Sequence, residues 1–366
     1  MTTDQLVAAA RQLIAIRSTA DRPGELQAAL ELVEKRLAGV PDVTVEHFSR
    51  NGKPSFLAYR GKTRPEKFKV LLNGHVDVVP AKPEQFTPYV KGDKLFGRGA
   101  LDMKTAALIL TDVFCALAPR LDYPLGLQIV TDEEVGGAHG TALQIADGVI
   151  ADFVIAGEFT PPAAICTESR GICWAEITFT GLSAHGAYLW EGKNAVLQAQ
   201  RFVQKLLADY PLPDHDVWTT TVNVASLDTG NPTFNRVPER AVLRLDVRYI
   251  AGDGNFAAKQ SAERYFLSLD PAAAVTILQF EPSHYADPAE PLLTTLAAAA
   301  KTVTTQPAVF VKKHGAADIR FYSDQGVPAV AFGLQGKGIH GDEEYVEISS
   351  LQRYSTVLKT FLRTIG

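Results

Sequence analysis

The chain has 366 residues, 46% of them hydrophobic and 21% charged, enough apolar material to build cores for more than one domain. A formal net charge of -5 gives a phosphate backbone no basic field to bind, and no run of about 18 apolar residues reads as a spanning helix. Nucleic acid and the bilayer are therefore excluded as partners. Cys115, Cys166 and Cys173 are odd in number and lie in apolar or strand-like surroundings, so they read as reduced thiols. With no basic n-region or cleavage site at the start, these features predict a cytoplasmic protein.

Thr3 is expected to cap a helix running to about Arg17, and a second helix spans Gly24 to Leu37. Short β-rich runs follow at Val43 to Phe48 and Ser55 to Tyr59. FKVLLNGHVDVVP reads as a buried strand whose exit carries His75 and Asp77. A Gly-rich approach, KLFGRGALDMK, leads into an apolar helix from about Thr105 to Leu117. Pro124 to Val130 reads as a strand ending on Thr131, Asp132, Glu133 and Glu134, and DFVIAGEF as one ending on Glu158. Strands alternating with helices predict an α/β fold with a mostly parallel central sheet flanked by helices, whose sites lie beyond the carboxyl ends of the strands.

The pattern changes near Gly171. Residues 172–284 read as strand, helix (Asn194 to Ala208), two strands, helix (Asn255 to Ser268) and strand, an inserted α+β domain. Residues 1–171 and 285–366 then form the main domain. Its second part has a helix at Pro291 to Thr302, a strand at AVFV, a short helix around Ile319, the strand PAVAFG and a closing helix capped by Ser349 or Ser350.

His75, Asp77, Asp102, Glu133, Glu134, Glu158 and His340 all fall near predicted strand ends or loops. Imidazole with carboxylate is a donor set that suits zinc, cobalt or manganese, with carboxylates bridging where two ions bind. In HVD, residues two apart on extended backbone point the same way, so Asp77 can bond the far nitrogen of His75 and fix its tautomer. Glu133 and Glu134 point apart, so one can ligate while the other faces an attacking water. Taken singly, HVD also fits a strand end with a surface Asp, Asp102 a helix cap, and Glu133 with Glu134 two solvated acids. The Gly-rich loop around His340 offers no apolar face for a core histidine.

In order along the chain, GHVDVVP, LFGRGALDMK, TDEEVGG, GEFT, GLSAHGAY, NRVPERAVLRLDVR and IHGDEE resemble the metallopeptidase and aminoacylase family that includes acetylornithine deacetylase, succinyl-diaminopimelate desuccinylase and glutamate-releasing carboxypeptidases. The resemblance implies a zinc-exopeptidase-like catalytic domain (1–171 and 285–366), a lid or dimerisation domain (172–284), and two divalent ions, zinc first and cobalt or manganese as alternatives. By that resemblance His75 and Glu158 hold one ion, Glu134 and His340 the other, and Asp102 bridges both through a cis peptide to Met103. Glu133 becomes the general base and Asp77 the partner of His75. His185 becomes the residue that reaches a partner subunit's site in dimeric members and stabilises the oxyanion. Arg170, Asn235, Arg248 and Arg320 match substrate-contacting positions, the arginines suiting a carboxylate. For Arg248 and Arg320 an ion pair within the fold competes with that role.

The chain departs from the pattern at Phe159 and Leu189, where proline is usual, and at His314 to Asp318, where Ala316 and Ala317 replace hydroxyl residues of desuccinylases. The expected activity is hydrolysis of the amide bond of a small N-acyl amino acid by a metal-activated water, of deacetylase or desuccinylase type. A dipeptidase or carboxypeptidase on the same scaffold is the rival within enzymes. A catalytically inactive binding homologue is the rival outside them, and it predicts a missing ligand or base.

Overall fold

The computed structural model describes residues 1–161 and 163–366, which divide into two compact units. The first comprises Met1–Glu168, Tyr285–Lys312 and Ala317–Gly366; the second comprises Ser169–His284 with Lys313–Ala316.

The first unit is built on a nine-stranded mixed sheet. Its centre is parallel: Val70–His75 lies between Leu125–Val130 and Val154–Ala156, and Ala329–Ala331 continues the order beyond Val154–Ala156. Every residue of these four strands is buried, as a parallel sheet covered on both faces requires. The edges are antiparallel. Val43–Arg50 and Lys53–Arg60 form a hairpin through Asn51 and Gly52, whose φ values of 51° and 71° suit the turn that matches strand twist. On the other side Ala331 pairs antiparallel with Cys166 of the strand Ala164–Ser169.

The two-residue period of the strands splits their side chains between two cores. Phe56, Ala58, Val70, Leu72 and Ile155 enter the larger one, beneath the helices Thr3–Ile14, Lys104–Leu117, Pro291–Thr304 and Ile348–Thr364. Leu57, Tyr59, Leu71, Val154 and Ala156 enter the other, against Ile319 and Tyr322 of the short helix Ile319–Asp324. The helix Lys104–Leu117 is buried almost all round, which explains its largely apolar sequence.

Helix boundaries differ from expectation at both ends of the chain. The first helix is capped by Thr2, not Thr3, because Thr2 and Gln5 form a reciprocal capping box, and it ends at Ile14. The last helix starts at Ile348 with Glu347 at the cap position. Ser349 lies inside it and bonds through amide and hydroxyl to Asp93, while the Ser350 hydroxyl bonds to the Glu347 carbonyl. A small sheet was not anticipated: Tyr89–Lys91, Lys94–Phe96, Tyr345–Glu347 and Gly336–Lys337 pair antiparallel, tying the early and late parts of the chain together.

The second unit is a four-stranded antiparallel sheet in the order Thr221–Asp228, Arg240–Tyr249, Gly171–Thr180, Ala274–Glu281. Cys173, Ala175, Ile177 and Phe179 alternate into its core with Phe202 and Leu206 of the helix Ala195–Asp209 and Phe266 of the helix Lys259–Leu269. Asn194 caps the first of these by accepting the amides of Val196 and Leu197. Among the described residues no helix is long and apolar enough to cross a membrane.

Candidate metal centre

Parallel strands deliver the ligand candidates. His75 ends the strand Val70–His75, Glu133 and Glu134 follow Leu125–Val130, and Glu158 follows Val154–Ala156. These three strands are neighbours, so their carboxyl ends, and the side chains just beyond them, converge. Asp102 lies in the turn before the helix Lys104–Leu117, joined to Met103 by a cis peptide. His340 comes from the loop after Gly336–Lys337, held in the left-handed region at φ 58°.

Two groups of donors result, sharing Asp102. In one, His75 Nε2 is 3.3 Å from Asp102 Oδ1 and 3.5 Å from Glu158 Oε1. In the other, His340 Nε2 is 3.5 Å from Asp102 Oδ2 and 3.2 Å from Glu134 Oε2. Each oxygen of Asp102 therefore serves a different group. Tetrahedral ligation at zinc, with bonds of about 2.0–2.1 Å, sets donors about 3.3–3.4 Å apart. The observed spacings match that value.

The tautomer of His75 is set by Asp77. His75 Nδ1 is 3.1 Å from the Asp77 carbonyl oxygen and 3.5 Å from its carboxylate. A carbonyl can only accept, so Nδ1 carries a proton and Nε2 is the nitrogen left to ligate an ion. The sequence placed this role on the Asp77 side chain; the main-chain oxygen is the closer partner. The Asp77 carboxylate also accepts the amide of Glu134 at 3.0 Å, fixing that residue's backbone. His75 Nε2 is buried with no hydrogen-bond partner, an arrangement that ligation resolves.

Electrostatics point the same way. Burial lowers the His75 pKa, but Asp102, Asp77 and Glu158 outweigh it and hold the value well above the ordinary one. Hydrogen bonds with Asp102 and Glu134 raise His340 to about 10. Glu133, whose Oε2 is 3.9 Å from His75 Nε2, is pushed well up by burial and by Glu158, Asp318 and Glu134, against the pull of His75. Five acids crowd two imidazoles, and the site favours positive charge.

The donors fit a pair of divalent cations in number, spacing and chemistry. Such ions would be held by His75 and Glu158 on one side and Glu134 and His340 on the other, with Asp102 common to both. Gly333 supports this arrangement from behind: a Cβ there would lie 2.4 Å from the Glu158 carbonyl oxygen and 2.5 Å from that of Gly157. Gly333→Ala is expected to displace Glu158, destabilise the fold by about 1–3 kcal/mol and weaken metal binding. Thermal denaturation and metal titration check this; an alanine variant equal to the parent in both would refute it.

The remaining sequence candidates divide by unit. Arg320 belongs to the first unit and is 3% exposed; it donates to the Gly136 carbonyl at 2.9 Å and lies 3.7 Å from Asp318. It thus braces the loop that carries Glu133 and Glu134. In the second unit Arg248 forms a two-point contact with Asp246 at 2.8 and 3.1 Å. Arg170 stacks over Trp218, donates to Thr221 and the Val217 carbonyl, and keeps a buried Nε without a hydrogen-bond partner. His185 accepts the Ala187 amide, and the Gly186 amide bonds to the Asn235 carbonyl. His314 pairs with Asp216 at 2.9 Å.

Other buried polar groups around the centre had no signal in the sequence. Asn73, Gln128, Gln144, Thr141 and Tyr322 form a hydrogen-bonded network across the sheet, ending where Thr141 bonds to Asp318. Amide and hydroxyl residues scattered on apolar strands do not announce one another, and only the pairing of the strands brings them together.

Residues 71–364 match the model of peptidase family M20/M25/M40. The chain belongs to this family. A succinyl-diaminopimelate desuccinylase of Dinoroseobacter shibae is 28% identical over 361 residues, covering 92% of this chain and 93% of the relative. An aminopeptidase PepT from Bacillus cereus shares the fold with a TM-score of 0.80 at 16% identity, covering 100% of this chain and 99% of the other. The YXEP protein of Bacillus subtilis, described as a dinuclear metal binding peptidase from the M20 family, superposes with a TM-score of 0.72 at 14% identity over 99% of this chain and 98% of its own. This M20 chain is a metal-dependent amide hydrolase, and both the α/β fold and the family resemblance expected from its motifs stand.

Proposed function

We propose that this M20 hydrolase cleaves the amide bond of a small N-acyl amino acid, in the manner of a deacylase, using two zinc ions. The observation that carries the reading is the pair of donor groups joined by the two oxygens of Asp102, with Glu133 beside them and no candidate ligand missing. The relatives called succinyl-diaminopimelate desuccinylase support the acyl amino acid over a peptide as substrate.

When bound, two divalent ions acidify a shared water and polarise the scissile carbonyl. Glu133, beside His75 but outside both donor groups, takes the proton of the attacking water and passes it to the departing amine. Asp77 holds Nδ1 of His75 and so leaves Nε2 turned toward Asp102 and Glu158. In the second unit Arg170, Asn235 and Arg248 are proposed to contact substrate, and His185 to stabilise the oxyanion. The orphan Nε of Arg170 supports an anion-binding role. The free cysteines support a reducing compartment such as the cytoplasm, and a homodimer through the second unit is the expected assembly, checked by sedimentation.

A panel of N-acetyl and N-succinyl amino acids set against di- and tripeptides, with zinc, cobalt or manganese supplied in turn, tests the reading. Turnover of acylated amino acids is expected, fastest with zinc. Peptide cleavage with no turnover of any acylated substrate would overturn it.

A further inference from the structure

Glu344 is 1% exposed, and a buried carboxylate persists only where its oxygens are saturated by donors. Here Oε1 accepts the amides of Leu101 at 2.9 Å and Asp102 at 3.1 Å. Oε2 accepts the Gly99 amide at 3.1 Å and the Arg98 guanidinium at 2.7 Å. Arg98, 2% exposed, reaches on to the Gly341 carbonyl at 3.0 Å, which also accepts from the Gln85 side-chain Nε2 at 2.8 Å.

These bonds join two loops more than 240 positions apart. One end is the main chain of Asp102, and the other is the main chain next to His340. The remaining donors differ in support: His75 and Glu158 stand at the ends of adjacent central strands, whose ladder holds them without Glu344. His340 sits in a half-exposed loop at positive φ, with no strand beneath it.

We propose that Glu344 is a positioning residue for the second ion, setting the distance between Asp102 and His340 through the Asp102 amide and through Arg98. The proposal rests on the reading that Asp102, Glu134 and His340 hold that ion. Glu344→Gln keeps the shape but turns one acceptor into a donor facing N–H groups, so one side of the clamp releases.

The test is a titration of apo protein with zinc or cobalt against a competing chelator, resolving two dissociation constants, alongside circular dichroism and thermal denaturation. The parent is expected to bind two ions. Glu344→Gln is expected to weaken the second about 10–100-fold and the first by clearly less, because Asp102 serves both ions while His75 and Glu158 hold the first from the strand ends. Gln85→Ala, which removes one bond to the Gly341 carbonyl without exposing a charge, is expected to weaken the second ion a few-fold and leave the first alone.

A folded Glu344→Gln protein that binds both ions like the parent, or loses both equally, overturns the proposal. If that variant does not fold, an unchanged second constant in Gln85→Ala overturns it. A parent that binds only one ion overturns the two-ion reading itself, and the proposal with it.

Discussion

Glu133→Gln is expected to lower kcat by about 10²–10⁴-fold, the range for loss of a general acid and base, while both ions stay bound. The isosteric amide keeps the volume and polarity beside His75 but cannot accept the proton of the attacking water. Glu133 is in neither donor group, and its approach to His75 Nε2 is 3.9 Å, longer than the 3.2–3.5 Å between the histidines and the carboxylates of the groups. Steady-state kinetics together with metal analysis of the same preparation checks this. Unchanged kcat sinks the assignment of the base; loss of an ion shows instead that Glu133 is a ligand.

Asp102→Ala is expected to remove both ions, whereas His340→Ala removes one. The difference follows from the divided carboxylate, Oδ1 toward His75 and Oδ2 toward His340. Losing a shared ligand should weaken binding by more than about 100-fold, beyond the 10–100-fold usual for residues that only support a ligand. Activity should vanish with the metal and fail to return at millimolar zinc. Metal content measured after gel filtration decides: two ions retained in Asp102→Ala contradicts the bridging role.

Much of this centre was legible because strand ends announce themselves. LLNGH, LQIV and VIA are short apolar runs that stop at charged residues, so His75, Glu133, Glu134 and Glu158 could be placed at one edge of one sheet. The direction of those strands followed from the intervening helices. What stayed hidden depends on pairing at long range. The small sheet is made of strands two or three residues long, too short for any period to register. Glu344 looks like one more acid in GDEEY, because three of its partners are main-chain amides, which have no signature in the sequence, and the fourth, Arg98, is 246 positions away. Thr2 rather than Thr3 caps the first helix because the Gln5 side chain, three residues on, completes the box, a pairing that a hydroxyl residue alone does not signal. Ser349 and Ser350 suggested a cap that the structure moves to Glu347, since the strand Tyr345–Glu347 runs straight into the helix.

The two donor groups also differ in when their residues are synthesised. His75, Asp102 and Glu158 all lie within one N-terminal stretch, but His340 comes 182 positions after Glu158, with the whole second unit translated in between. At synthesis rates of ~5–20 residues per second, that interval lasts about 10–35 s. The first trio of donors is thus made well before the second, but the sheet that aligns it contains Ala329–Ala331 and the core beneath it contains the helix Ile348–Thr364, so both donor groups wait on the last part of the chain.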